Sequence, residues 1–147
     1  RRGYPLSCFD QAMQSLHQAG LDVIVHTILG LPGETSRDVL DTMKYLNACQ
    51  IQGIKLQLLH VLSGTDLAAD YQAGKFSVLD REEYIDLVIR CLEHLDPSIV
   101  IHRVTGDGPK DLLIAPLWAS RKREVLNLLH HQMKEQGSYQ GKAFTQV

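Results

Sequence analysis

The sequence of 147 residues is poor in aromatics (6%) and has only three cysteines, Cys8, Cys49 and Cys91. No two of them form a Cys-x-x-Cys pair, so local spacing builds neither a zinc ribbon nor a redox dithiol. Each lies where periodicity predicts a helix, and they read as small apolar groups in a reducing cytoplasm. No apolar run approaches the roughly 20 residues that span a bilayer, which argues against a membrane role. Nothing at the start resembles a signal peptide. There is no excess of positive charge: 15 Lys and Arg stand against 17 Asp and Glu, for a net charge of −2. A surface dominated by nucleic-acid contacts is therefore not expected, the Arg121-Lys122-Arg123 run being a local exception. An initiator methionine is also missing: the chain opens Arg1-Arg2-Gly3 and reads as a portion of a longer protein.

What is present is organised around Val23 to Leu29 running into Gly30-Leu31-Pro32-Gly33-Glu34-Thr35. The first part is β-branched and almost continuously apolar, as in a parallel strand covered on both faces, with His26 the polar interruption. The second part is a glycine turn opening a helix, where backbone N–H groups face whatever sits there. That place suits an anion or nucleotide, or is simply a tight strand-to-helix connection.

Helical spacing predicts one helix before this strand, with Ser7 and Asp10 in a capping arrangement, and another after it capped by Thr35 and Asp38. A strand alternates from Ile54 to Val61, its Lys55, Gln57 and Leu59 opposite Ile54, Leu56 and Leu58. Ser63-Gly64-Thr65 forms a loop before a short helix. Leu79-Asp80-Arg81-Glu82-Glu83-Tyr84 offers an N-cap, an acidic N3 and a staple for a long helix ended by Pro97. A third strand covers Ile99 to Val104, Asp111 to Ile114 is expected to turn once before Pro116, and a last helix runs from about Ser120 to Gln136. Trp118 reads as a packing anchor. The expected division is a body over 1–136 and an irregular tail over 137–147.

Strand and helix alternation predicts parallel strands with right-handed crossovers. The loops after the strands, Gly30 to Glu34, His60 to Thr65 and His102 to Asp107, then gather at one end. A polar inner strand face points to part of a barrel rather than a flat sheet clad on both sides.

Arg2-Gly3 before a helix, His26 to Thr35, Lys55 to His60, and Ile101-His102-Arg103-Val104-Thr105-Gly106-Asp107-Gly108-Pro109 together resemble the radical SAM superfamily. The likeness is to the YhcC-like family, related to the elongator catalytic subunit and to oxygen-independent coproporphyrinogen oxidase. It implies an α/β fold, the C-terminal part of a partial TIM barrel: an open parallel sheet of about three strands with outer helices. It also implies, for the full-length parent, S-adenosylmethionine and a [4Fe–4S] cluster held by a three-cysteine loop that this sequence lacks. Reductive cleavage to a 5′-deoxyadenosyl radical would serve hydrogen abstraction from an unknown substrate, with electrons from a flavodoxin or ferredoxin. This piece would contribute the S-adenosylmethionine-binding half, carry no cofactor and be inactive alone.

By the same likeness, Arg2 matches the arginine that reaches the S-adenosylmethionine carboxylate, and His26 faces its ribose and methionine part. Gly30, Leu31, Pro32, Gly33 and Glu34 form the turn that passes the adenosine, and the backbone of Leu59 and His60 reads the adenine. Gln57, His102, Arg103 and Asp107 are taken as substrate-facing. Catalytic residues are not identified, and no metal ligands are assigned.

Other readings stay open on the residues themselves. His26 could be a core histidine bonded to a carbonyl. Glu34 could cap the helix, and Arg103 with Asp107 could be a loop salt bridge. The whole could be a nucleotide- or phosphate-binding module, or the RNA-binding part of a tRNA-modifying enzyme. A partial barrel also leaves an unpaired edge, so self-association through the strand Val23 to Leu29 is expected.

Overall fold

Three strands form the centre of the molecule: β1 (Ile24–Leu29), β2 (Gly53–Leu58) and β4 (Val100–Arg103), all parallel, in the order β1-β2-β4. The computed structural model describes residues 3–106 and 108–145. Helices α1 (Leu6–Gln18), α2 (Ser36–Ala48), α4 (Arg81–His94) and α5 (Lys122–Glu135) contribute to one core on a single face of this sheet. Two short strands, β3 (Val61–Leu62) and β5 (Leu113–Ala115), pair antiparallel beside a short helix, α3 (Asp66–Gln72). No helix of the described residues is long and apolar enough to cross a membrane.

Period-2 alternation sends Ile54, Leu56 and Leu58 to one side of β2, where they meet Met43 and Leu46 of α2 and Tyr84, Ile85, Val88 and Cys91 of α4. Burying one such aliphatic side chain contributes about 1.5–3 kcal/mol, so this side carries most of the stability. Helices α2 and α4 start where their capping boxes dictate. Thr35 accepts from the Asp38 N–H while Asp38 accepts from the Thr35 N–H, and Asp80 and Glu83 repeat the exchange on α4. Trp118 anchors the far side, donating to the Leu79 carbonyl (3.2 Å) with its ring 5.5 Å from that of Tyr84.

Several expectations need correction. The first helix starts at Leu6 with Pro5 as N-cap and no side-chain cap, because Asp10 is instead turned toward α2 to accept from the Tyr45 hydroxyl. The β1 strand is covered on one side only, its burial alternating with Ile24, His26 and Ile28 exposed, since no described helix crosses the other face. The β2 strand ends at Leu58 rather than running to Val61, which belongs to β3. Turning occurs at 109–112, where Leu112 N–H reaches the Pro109 carbonyl, and the following Leu113–Ala115 is a strand that closes a small core of Val61, Ala68 and Ala115. Of the three cysteines only Cys91 is buried; Cys49 is half-buried and Cys8 exposed.

The segment after Gly137 is irregular yet docked. Gly141 and Ala143 donate to the Leu92 and Glu93 carbonyls, and Gln140 donates to those of Asp96 and Ile99. Gly141 lies so close to Pro97 that a Cβ there would collide with its ring.

Candidate functional site

The parallel register carries the ends of β1 and β2 to the same side of the sheet. At the end of β1, Gly30 and Gly33 take φ of +81° and +80°, a left-handed conformation that strains any residue with a Cβ. Gly30 also faces Leu79, whose Cδ1 would lie 3.0 Å from an added Cβ. Leu31 is left exposed on the turn. Glu34 closes the turn on itself: its carboxylate accepts from the Leu31 N–H (3.3 Å) while its own N–H donates to the Leu31 carbonyl (3.0 Å). Burial pushes the Glu34 carboxyl above its ordinary value, against the pull of the Leu31 and Gly30 N–H groups. It stands one residue before the N-cap Thr35, so its contacts are with the turn rather than the first helical turn.

The start of α2 is not an open anion site. Thr35 and Asp38 occupy each other's N–H groups, and the Asp38 carboxyl is held below its ordinary value by the Thr35 hydroxyl and N–H. An ionised carboxylate already seated on the helix N-terminus opposes a second anion there.

Leu59 follows β2, and its N–H is taken by the Leu29 carbonyl (3.0 Å), so what its backbone offers a ligand is an acceptor. His60 is held by two glycines from the next loop. A Cβ on Gly106 would come within 2.5 Å of its Cε1, and one on Gly108 within 2.6 Å of its Nδ1, so the ring occupies space that only glycine leaves clear. The motif Gly106-Asp107-Gly108 is thus explained in part by packing, which sequence reading missed because its partner is far away in the chain. Asp107 itself, like Arg2, lies outside the described residues.

The open face of the sheet holds the other candidates. Register sets His26 beside Lys55, Ile28 beside Gln57, and Lys55 beside Arg103. The shift in register between Ile54 and Lys55 leaves His102 as the extra residue of β4, and its ring crosses Gly53, where a Cβ would be 2.7 Å away. His26 is exposed here, which rules out the core-histidine reading. His102 does not join His60: it sits at the beginning of β2, whereas His60 lies beyond its end. No group of His, Cys, Asp and Glu able to hold a metal occurs among the described residues. Cys91 is an inert thiol, pushed up to about 12 by burial.

The family described as the Radical_SAM C-terminal domain matches residues 51–135, from the approach to β2 through the end of α5. The chain belongs to the radical SAM family. Along its whole length it is similar to YtqA of Bacillus subtilis, with 38% identity over 99% of this chain and 45% of the relative. It is similar also to YhcC of Escherichia coli, with 31% identity over 92% of this chain and 44% of that protein. Among solved structures, the archaeal Elp3 of Methanocaldococcus infernus lacking residues 1–46 superposes with a TM-score of 0.80 over 95% of this chain and 33% of its own; at 20% identity this shows the fold alone. The chain therefore spans a little under half the length of the curated relatives it matches. The glycine turn and His26 precede the matched domain and fall within the longer likeness to YtqA.

Proposed function

We propose that this chain forms the S-adenosylmethionine-binding part of a radical SAM enzyme, and the observation that carries the reading is the radical SAM family match over β2 to α5. The residues present fit S-adenosylmethionine and not the cluster. The glycine turn offers backbone and the exposed Leu31 side chain to an adenosine, and Leu59 offers an acceptor suited to an exocyclic amine. The three cysteines lie on or at the ends of separate helices at three levels of exposure, so the iron ligands belong elsewhere in the parent. The bound pair would supply a 5′-deoxyadenosyl radical for hydrogen abstraction.

In this reading Gly30 to Gly33 wall the adenosine, Glu34 positions that wall through the Leu31 N–H, and His26 faces the ribose and methionine part from the open sheet face. His60, clamped by Gly106 and Gly108, fixes the loop beside the adenine. Gln57, His102, Arg103 and Asp107 line the substrate side, and Arg2 keeps the role that the family likeness assigns it. A reduced flavodoxin or ferredoxin in the cytoplasm would deliver the electron, and this piece alone would self-associate through the β1 edge. The alternative of a phosphate-binding module is disfavoured by the carboxylate of Asp38 on the α2 N-terminus.

Anaerobic reconstitution of the full-length parent with iron and sulfide tests the reading. The expected result is a [4Fe–4S] absorption band and 5′-deoxyadenosine on reduction; a folded protein yielding neither overturns it.

A further inference from the structure

The three central strands carry no acidic residue: their sequences are Ile-Val-His-Thr-Ile-Leu, Gly-Ile-Lys-Leu-Gln-Leu and Val-Ile-His-Arg. All their basic and imidazole groups are on or beside the open face. Across it, register lines up His26, Lys55 and Arg103 on adjacent strands, with His102 at the bulge next to them. Adjacent strands are about 4.8 Å apart, and like charges directly opposite one another destabilise a sheet. Among the described residues, none of these four side chains makes a hydrogen bond or ion pair. General basicity is not the cause, because the chain as a whole is slightly acidic, with a net charge of −2.

Apolar shoulders flank the row. Ile24 and Val100 lie below it and Ile28 above, each exposed. A Lys point charge, a planar guanidinium that bonds a carboxylate or phosphate through two parallel N–H groups, and two imidazoles form a donor set that no carboxylate among the described residues pairs. Such a face is complementary to a molecule with an oxyanion head and an apolar body.

We propose that Lys55 and Arg103, with His102, bind an oxyanion of the substrate, a carboxylate or a phosphate, beside His26 at the edge toward S-adenosylmethionine, and that Ile24, Ile28 and Val100 contact its apolar part. This rests on the reading of the open face as the substrate side of the enzyme. It narrows the substrate class to anionic molecules, and it places the anion about 13 Å below the Gly30 turn, since Lys55 lies beside His26, which precedes Gly30 by four residues at about 3.3 Å each along the strand.

The test is a titration of this 147-residue chain at constant ionic strength with glutarate, inorganic phosphate and the neutral diamide of glutarate, read from the ring carbon and proton NMR signals of its seven histidines. Saturable shifts at His26 and His102 with an anion, and none with the diamide, are expected. The better of glutarate and phosphate identifies the head group. Lys55→Gln and Arg103→Gln, both on the open face, should each weaken binding roughly tenfold, the loss of one charge-assisted hydrogen bond. Lys55→Gln should also raise the melting temperature at low salt by removing the cross-strand repulsion. Shifts that do not saturate, that appear equally at His130 and His131 on α5, or that persist undiminished in both variants overturn the proposal. Neither cluster nor S-adenosylmethionine takes part, so a silent titration overturns the anion site and leaves the radical reading standing; failed reconstitution does the reverse.

Discussion

The two faces of one small sheet differ more than any two elements of this chain. On the helix-covered face Ile54 and Leu56 are fully buried, at 0% exposure; on the open face Ile24, Ile28 and Val100 are exposed by 41%, 46% and 58%. Both faces hold branched aliphatic residues, yet only the open one also holds Lys55, Gln57, Arg103 and two histidines. Apolar character alone therefore does not separate core from site. What separates them is the partner: α2 and α4 are anchored by capping boxes and lock the covered face, while the open face is free to present polar groups. Stability and chemistry are thus assigned to opposite sides of the same strands, and a substitution should reveal which side it touches.

Alternating positions on β2 give the sharpest test and the largest effect. Leu56→Ala, which empties a fully buried site, should destabilise the chain by about 2–5 kcal/mol. Its neighbour Gln57→Ala, on the open face, should stay within about 0.5 kcal/mol. Urea unfolding of the two variants measures both, and equal losses would mean that the open face is packed after all. Next in size is Gly106→Ala, where the new Cβ would come within 2.5 Å of the His60 ring. Overpacking of this kind costs about 1–3 kcal/mol. Removing the ring with His60→Ala should relieve it, so a double-mutant cycle should show a coupling of about 0.5–3 kcal/mol. An additive cycle would show that Gly106 is needed for its backbone alone.

Much of this division was legible in the residues. The alternation from Ile54 to Leu58 marked which side of β2 meets helices, and Thr35-Asp38 and Asp80-Glu83 located the starts of α2 and α4, because periodicity and capping are local signals. The apolar run of β1 misled for the same reason: Ile24 and Ile28 look like core residues in sequence, yet no helix among the described residues covers them and both are exposed. Ser7 and Asp10 had the spacing of a cap, but Asp10 is engaged by Tyr45 on another helix. The strand Leu113–Ala115 is too short for a period to show and exists by pairing with Val61 and Leu62. Within the site, the glycine turn was visible, whereas the clamp of Gly106 and Gly108 on His60 and the placement of His102 over Gly53 depend on contacts between distant parts of the chain.

A smaller effect tests how firmly the covered face anchors the turn. Thr35→Ala removes the N-cap of α2 and should cost about 1 kcal/mol, with amide exchange rising first in the initial turn of the helix. Unchanged exchange there would mean that packing of Val39 and Met43 holds α2 without its cap.

The smallest effect concerns Glu34, which lies where the covered and open faces meet. Burial raises its carboxyl pKa above the ordinary 4.5, so between that value and the higher folded value the native state holds more proton than the unfolded chain. Stability supplied by Glu34 therefore falls as pH rises through this window and is level above it. Asp38 tilts the profile the other way: its folded pKa is lowered, so its contribution is present above the ordinary aspartate value and is lost as pH falls through the folded one. Glu34→Gln keeps an oxygen able to accept from the Leu31 N–H but removes the titration. The stability of the variant relative to the parent chain should then increase as pH climbs from 4.5 and flatten above the folded pKa, as urea midpoints taken across that range would show. A difference that is flat, or that declines with rising pH, would mean that the N–H groups of Gly30 and Leu31 outweigh burial and that the Glu34 carboxylate is a net stabiliser of the turn.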